Sequence, residues 1–369
     1  MPEKYNRKQI TCVFGAIYPH VTGGAEIFNY FLLKEISKNN KIILISENDP
    51  DIEGVVFRKL RKREPVRLFY PFQLFILLCK YSRKSDSIYT SFMRAPWFIF
   101  FPLTLFSILR KVPYSFTIHG GGMMKWKFKL PFNIFFKRAK AITGVSHRIC
   151  EEYKNRTGLN IRYLPPLIPF LSTKLSREAL RIKYNLPVDT NVILFVGSLK
   201  PLKNPVNILK ALFLIGKDFI EEHRIRLIYA GDGILKKEIN DNAIRGNISD
   251  FVSIPGYVPL ESIHEMYSLA DLYVICSDFE GTPIALLEAM FNSLPIVASD
   301  APGINNFLVN NETAILYKTD DIDMLAEGVK MLLTNPAKRN YIRKNAKMYY
   351  DEHFDYHSIA NEYTDLIVS

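Results

Sequence analysis

Cysteine is scarce in this chain. The four present, Cys12, Cys79, Cys150 and Cys276, lie far apart among 369 residues and match neither a metal-ligand nor a disulfide spacing. A disulfide-stapled scaffold or a cysteine-zinc module is thereby excluded, and a reducing cytosol fits. Long hydrophobic runs are missing as well. The longest, Ala95 to Leu109, has 15 residues and contains Pro96 and Pro102, whereas a spanning helix needs about 20 apolar residues. No transmembrane helix is expected. Met1 to Lys8 is polar and the first apolar run begins only at Ile10, so no secretory signal is expected either. Long internal repeats and low-complexity segments are lacking. Asp49-Pro-Asp51 is the one Asp-x-Asp with any appeal as a metal site, and it falls in a loop of the first half, away from the other candidate residues.

Negative charge is thin in that first half. Residues 1–168 hold 28 Lys or Arg against 11 Asp or Glu, a balance of +17. Residues 169–369 hold 20 against 26, a balance of −6. Such asymmetry implies a polyanionic partner for the first half, either nucleic acid or an anionic membrane surface. Between residues 55 and 140, basic runs such as Arg58 to Arg63 alternate with apolar ones, Leu68 to Leu78 and Ala95 to Leu109. Core helices are the plain reading of the apolar runs. Lys125-Trp-Lys-Phe-Lys129 is harder to bury, and its alternation fits an interfacial segment in which aromatics enter headgroups and lysines meet anionic lipid.

What is present is globular: 48% apolar and 23% charged residues, in a length that suits about two domains. Gln9 to Tyr18 reads as a buried strand, residues 25–37 as a helix and Lys41 to Ser46 as a second strand, a βαβ unit. Gly23 and Gly24 before that helix either make a simple tight turn or let the backbone approach an anion. Pro113 to His119 and Ala141 to Ser146 supply further strands. Pro165, Pro166 and Pro169 form a stiff linker, which sets a boundary between domains 1–168 and 169–354. The second domain repeats the alternation, with strands at Val192 to Val196, Arg226 to Ala230, Phe251 to Val258 and Asp271 to Cys276. A helix is expected at Val206 to Leu214, and helices again from Asp321 onward.

The chain is organised around Ser277 to Asp300. A strand there feeds a helix through Glu280 and Gly281, with Thr282 as expected N-cap and Pro283 at the first helical position. Such a helix start, with Ile284 next in line, offers free N–H groups and a positive dipole end to a phosphate. Glu280 before the helix and Glu288 inside it can accept hydrogen bonds from sugar hydroxyls. An amphipathic helix with a solvated Glu is the competing reading.

Glu280 and Glu288 are spaced as in the Glu-x7-Glu motif of retaining glycosyltransferases of family 4, and EGTPIALLEAM, SLPIVASDAPGINNFL and NNETAILY resemble that family. The likeness continues through most of residues 190–369. It implies an α/β protein of the GT-B fold, two Rossmann-like domains facing across a cleft, with a final helix at about residues 355–369 returning to the first domain. It also implies transfer of a sugar from a nucleotide diphosphate donor with retention of configuration, and no metal or other cofactor. By resemblance Glu280 touches the donor sugar and Glu288 the ribose. Lys203, in the loop after Gly197, holds the diphosphate with the Gly23–Gly24 loop, and His119 lies beside the sugar. Ser198 stands where family members usually carry Arg, which removes one bidentate phosphate contact; Lys200 is the candidate substitute, and the sequence leaves open whether it compensates.

The reading is thus a cytoplasmic transferase, peripheral on the inner face of the plasma membrane. Its acceptor is a glycan or polyprenyl-linked hydroxyl in bacterial surface polysaccharide synthesis, and its polyanionic partner is membrane rather than nucleic acid. The alternatives are a nucleotide-sugar epimerase or hydrolase on the same fold, and a non-catalytic basic protein that binds membrane or nucleic acid.

Overall fold

The computed structural model describes residues 7–21, 23–61, 69–93, 97–120 and 130–368. The Lys125–Lys129 alternation lies outside them. Two compact units form, residues 1–169 with 356–369, and residues 170–355.

The first unit runs β1 (Gln9–Val13), α1 (Gly24–Ile36), β2 (Lys41–Ser46), β3 (Val55–Lys59), α2 (Tyr70–Tyr81), β4 (Ser87–Phe92), α3 (Trp97–Arg110), β5 (Tyr114–Ile118), α4 (Leu130–Arg138), β6 (Ala141–Gly144), α5 (His147–Thr157) and β7 (Arg162–Tyr163). Its strands pair in parallel in the order β3-β2-β1-β4-β5-β6-β7. The second unit runs α6 (Arg177–Lys183), β8 (Asn191–Val196), α7 (Val206–Ile215), α8 (Lys217–Glu222), β9 (Ile225–Ala230), α9 (Lys236–Arg245), β10 (Val252–Gly256), α10 (Leu260–Leu269), β11 (Leu272–Ile275), α11 (Ile284–Phe291), β12 (Ile296–Ser299), β13 (Ile315–Tyr317), α12 (Ile322–Thr334) and α13 (Pro336–His353). Its parallel sheet has the order β10-β9-β8-β11-β12-β13. The last helix, α14 (Tyr356–Val368), belongs to the first unit.

Each sheet therefore grows outward from its first strand and reverses once, between β1 and β4 and between β8 and β11. Such reversals leave a crevice beyond the carboxyl ends of the two strands. Strands β8, β11 and β12 are nearly continuous apolar runs because helices cover both sheet faces. In β8, Ile193 and Phe195 join the core on one face while Val192 and Leu194 join the core on the other.

β1 stops at Val13, short of the strand expected to reach Tyr18. Phe14 N still donates to Ile45 O at 3.0 Å, after which the chain leaves the sheet edge. β10 ends at Gly256, and its register with β9 shifts between Ser253 and Gly256, where Pro255 has no N–H to give the ladder.

Both apolar runs of the first half are helices, α2 and α3. Their inner stripes, Tyr70, Leu74 and Leu78 on α2 and Phe100, Leu103 and Phe106 on α3, pack in one core with Phe92, Phe116 and Phe136. Among the described residues no helix is long and apolar enough to cross a membrane.

α14 closes the other face of the first sheet. Ile359, Ala360, Tyr363, Leu366 and Ile367 pack with Phe28, Leu32 and Tyr89. The Tyr363 hydroxyl donates to the Leu164 and Pro165 carbonyls at 3.2 and 3.1 Å.

Candidate functional site

The site of the second unit grows from the β8–β11 reversal. After β8 the chain passes through Gly197, Ser198, Leu199 and Lys200 into a single tight turn, Pro201–Lys203. Two further glycines, Gly231 and Gly233, hold this loop down. Leu199 N donates to Asp232 O at 2.9 Å, and a Cβ on Gly231 would lie 1.9 Å from the Gly197 carbonyl oxygen. Only glycine permits that approach of backbone to backbone. Lys200 is exposed at the rim, and Ser198 is half-buried beside it.

After β11 come Cys276, Ser277, Asp278 and Glu280. Asn204 donates to the Asp278 carboxylate, and Asp278 N donates to Leu202 O at 3.0 Å, so the β8 and β11 loops are tied together. Across that tie Lys203 Nζ donates to Glu280 Oε1, and Ser277 Oγ donates to the same oxygen at 2.6 Å. Glu280 is 8% exposed, so its charge is held by these two donors rather than by bulk water. The Lys203 side chain keeps 28% of its surface open. The pair is therefore a formed cation–carboxylate unit with the lysine reachable from outside.

A third loop carries the backbone of Glu280. Its N–H donates to Pro302 O at 3.0 Å. Gly303, at φ +88°, lies so near that a Cβ there would be 2.0 Å from the Glu280 carbonyl oxygen. Gly303→Ala is therefore expected to cost about 1–3 kcal/mol from the backbone conformation alone and to displace Glu280. Calorimetric melting checks this; a wild-type Tm would contradict it.

α11 begins one residue later than the sequence indicates. The Pro283 carbonyl accepts from Leu286 N at 2.9 Å and Leu287 N at 3.1 Å, which makes Pro283 the N-cap in place of Thr282. Thr282 O instead accepts from Ile284 N at 2.9 Å. No side chain caps this helix end, and around Gly281 there is open space. The N-terminus lies directly after Glu280 in the chain, with its dipole end available to an anion.

Glu288, on the second turn of α11, is buried. Its Oε2 accepts from the Tyr267 hydroxyl of α10 at 2.7 Å. Burial pushes its carboxyl up to about 7, and the Tyr267 bond offsets part of that rise.

In the first unit, His119 follows β5. Its N–H donates to Phe92 O at 2.8 Å. Its ring meets Phe28 edge-on at 4.6 Å, and Phe28 meets Tyr363 at 5.1 Å, so α14 forms part of the wall behind it. Burial lowers the His119 pKa to about 3, which keeps the imidazole neutral. His119 Nε2 is enclosed and has no hydrogen-bond partner among the described residues. Gly23 is the N-cap of α1 and Gly24 its first residue. The Glu26 carboxylate folds back over Gly23, where a Cβ would lie 2.1 Å from Oε2. This helix end thus already holds a negative group, as its dipole favours.

The structure brings Lys203, Glu280, Gly281 and the start of α11 together, with Glu288 one helix turn deeper. His119, Gly23 and Gly24 stand in the other unit. Ser277, Tyr267, Asn204 and Gly303 escaped the sequence reading. Gly303 sits inside the quoted SDAPGINN stretch, but nothing in the sequence marks Tyr267 as the partner of Glu288. Among the described residues no three His, Cys, Asp or Glu side chains gather as a metal site, Asp49 and Asp51 included.

Residues 176–349 match the family model described as glycosyl transferases group 1. TuaC of Bacillus subtilis, named for teichuronic acid biosynthesis, is 26% identical over 232 residues, covering 59% of this chain and 54% of TuaC. A Campylobacter jejuni α-1,4-N-acetyl-D-galactosaminyltransferase, named for an undecaprenol-linked substrate, is 30% identical over 179 residues, 48% of each protein. The chain spans about half the length of the curated relatives it matches. Solved structures match almost its whole length. A glycosyltransferase from Rickettsia africae superposes with a TM-score of 0.80 at 16% identity, over 98% of both chains. HepE of Anabaena, solved in complex with UDP, gives 0.76 at 15% identity over 97% of this chain and 98% of that one. The protein therefore has the GT-B fold, and its second unit matches the model of the glycosyl transferases group 1.

Proposed function

We propose that this protein is a retaining glycosyltransferase of family 4 that moves a sugar from a nucleoside diphosphate sugar to a hydroxyl of a glycan or polyprenyl-linked acceptor, without a metal ion. The observation that carries the reading is the Lys203–Glu280 pair at the β8–β11 reversal, beside the uncapped start of α11. A diphosphate at that helix end meets backbone N–H groups and the lysine ammonium. Both stabilise the charge that builds on the leaving diphosphate as the bond to the sugar C1 breaks. Glu280, already oriented by Ser277, accepts from the sugar hydroxyls and sets the sugar's position. Glu288 accepts from the ribose hydroxyls.

As the resemblance to that family implies, the acceptor oxygen bonds to C1 on the face the diphosphate leaves, and its proton passes to a diphosphate oxygen. The names of TuaC, for teichuronic acid biosynthesis, and of the Campylobacter enzyme, for an undecaprenol-linked substrate, support a polysaccharide or polyprenyl-linked acceptor. The UDP in the HepE structure makes UDP-sugars the first donors to try.

A panel of nucleotide sugars read by thermal stabilisation tests the reading. A true donor at about a hundred times its Kd adds about 2.7 kcal/mol to the native state, several degrees in Tm. Both the shift and the transfer should persist in EDTA. Full dependence on added Mg²⁺ or Mn²⁺ would refute metal independence. Release of nucleotide at the full rate without acceptor would make the protein an epimerase or hydrolase instead.

A further inference from the structure

The outer layer of the first unit plays no part in the chemistry above, and it is the least ordinary surface of the molecule. A helix on the surface of a soluble unit turns a polar face outward. α2 and α3 do not. Phe72 and Ile76, one turn apart on α2, are 69% and 62% exposed, and Phe101 and Ile108 on α3 are 52% and 47% exposed. Both helices thus carry a second apolar stripe besides the one that packs on the sheet. Between these outer stripes opens a cavity of about 650 Å³, walled by Phe69, Phe72 and Phe75 from one side and Phe101, Pro102 and Leu105 from the other.

The other flank of α3 is basic. Lys111, Lys137 and Arg138 surround a pocket of about 700 Å³ floored by Ser107 and Val112, and Ile134 of α4 stands exposed at its edge. Opposing charge is absent from the sequence here: Ser87 to Cys150 contains no Asp or Glu at all, and neither does α2. The face therefore has an apolar centre and a cationic flank.

Those two properties select the occupant. A second copy of the same face would cover the phenylalanines but set its cations against their like. A nucleic acid would answer the cations and leave the apolar cavity empty. An anionic phospholipid bilayer answers both, since its phosphates meet the cations while its hydrocarbon receives the aromatic side chains. We propose that the α2–α3–α4 face rests on an anionic phospholipid bilayer, with a lipid chain entering the α2–α3 cavity and lipid phosphates meeting Lys111, Lys137 and Arg138.

The test is co-sedimentation of the full chain with vesicles of phosphatidylglycerol and phosphatidylcholine, or of phosphatidylcholine alone, with no nucleotide sugar present. Binding to the mixed vesicles is expected, with poor binding to the neutral ones. Removing a cation should lower the partition about fivefold, and Lys137→Glu with Arg138→Glu by more. Phe72→Ser with Phe101→Ser should lower it about tenfold or more at an unchanged Tm, because both side chains are largely outside the core. High salt should weaken the wild type yet leave a residue of binding that the phenylalanine pair removes. Equal binding to both vesicle types, indifference to either pair of substitutions, or a dimer in light scattering that the phenylalanine pair dissolves would each overturn the proposal. Donor-induced stabilisation of the same variants reports on the second unit, so failure here and failure of the transferase reading are told apart.

Discussion

Lys203→Ala is expected to slow sugar transfer by about 10²–10³-fold, the usual loss when one preorganised group facing developing negative charge is removed. The fall should appear equally in kcat and kcat/KM, because the lysine matters most as the diphosphate departs. Its partner behaves differently. Glu280→Ala removes hydrogen bonds from a charged acceptor to the sugar, about 1.5–3 kcal/mol, or tenfold and more in rate. In the single lysine variant Glu280 keeps only the Ser277 bond in a mostly buried position. The two losses should therefore not add, and a double-mutant cycle should show coupling of about 0.5–3 kcal/mol. Steady-state kinetics of the three variants decides the matter. Turnover of Lys203→Ala within a few-fold of wild type would remove the lysine from the chemistry.

Glu288 should make nucleotide binding depend on pH around neutrality. In the proposed role its carboxyl, pushed up to about 7, accepts from ribose hydroxyls far more strongly when ionised. Affinity for a nucleoside diphosphate should then climb as pH rises towards 7, by at most about tenfold per unit, and level off above it. Binding should release a proton, visible as a buffer-dependent heat in calorimetry. Stability should move the opposite way. The folded state binds a proton that the unfolded chain has already lost between the ordinary carboxylate range and 7. The stability linked to that proton is thus full at low pH and gone once pH has passed about 7, a change on the order of 2–3 kcal/mol. Glu288→Gln should flatten both curves and melt above wild type at pH 8. A pH-independent affinity in the wild-type protein would show that the carboxylate is not the ribose partner.

Much of this site was legible because it lies in short, local stretches. The strand–turn–helix around Glu280 and the Gly197 loop each fit within a few residues, and their hydrophobic periodicity exposes the strands on either side. The Thr282 cap was misplaced because capping turns on one carbonyl, and Pro283, lacking an N–H, can still accept from Leu286 and Leu287. Contacts between distant segments were not legible. Tyr267 meets Glu288 across 21 positions, and Gly303 meets the Glu280 backbone only because two loops fold onto each other. The outer stripes of α2 and α3 were hidden for another reason. A run that is apolar all round does not say which of its faces the sheet will take.

The return of α14 to the first unit has a consequence for biosynthesis. Residues 170–355 are one uninterrupted piece, and everything that fills their core is present once that piece has left the ribosome. The first unit is translated earlier but lacks Ile359, Tyr363 and Ile367 until the last turns of α14 emerge. Chains usually complete their domains in the order they are made. Here the order inverts: the half synthesised first waits with one sheet face unsealed, Phe28, Leu32 and Tyr89 open to chaperones, while the half synthesised second is already closed.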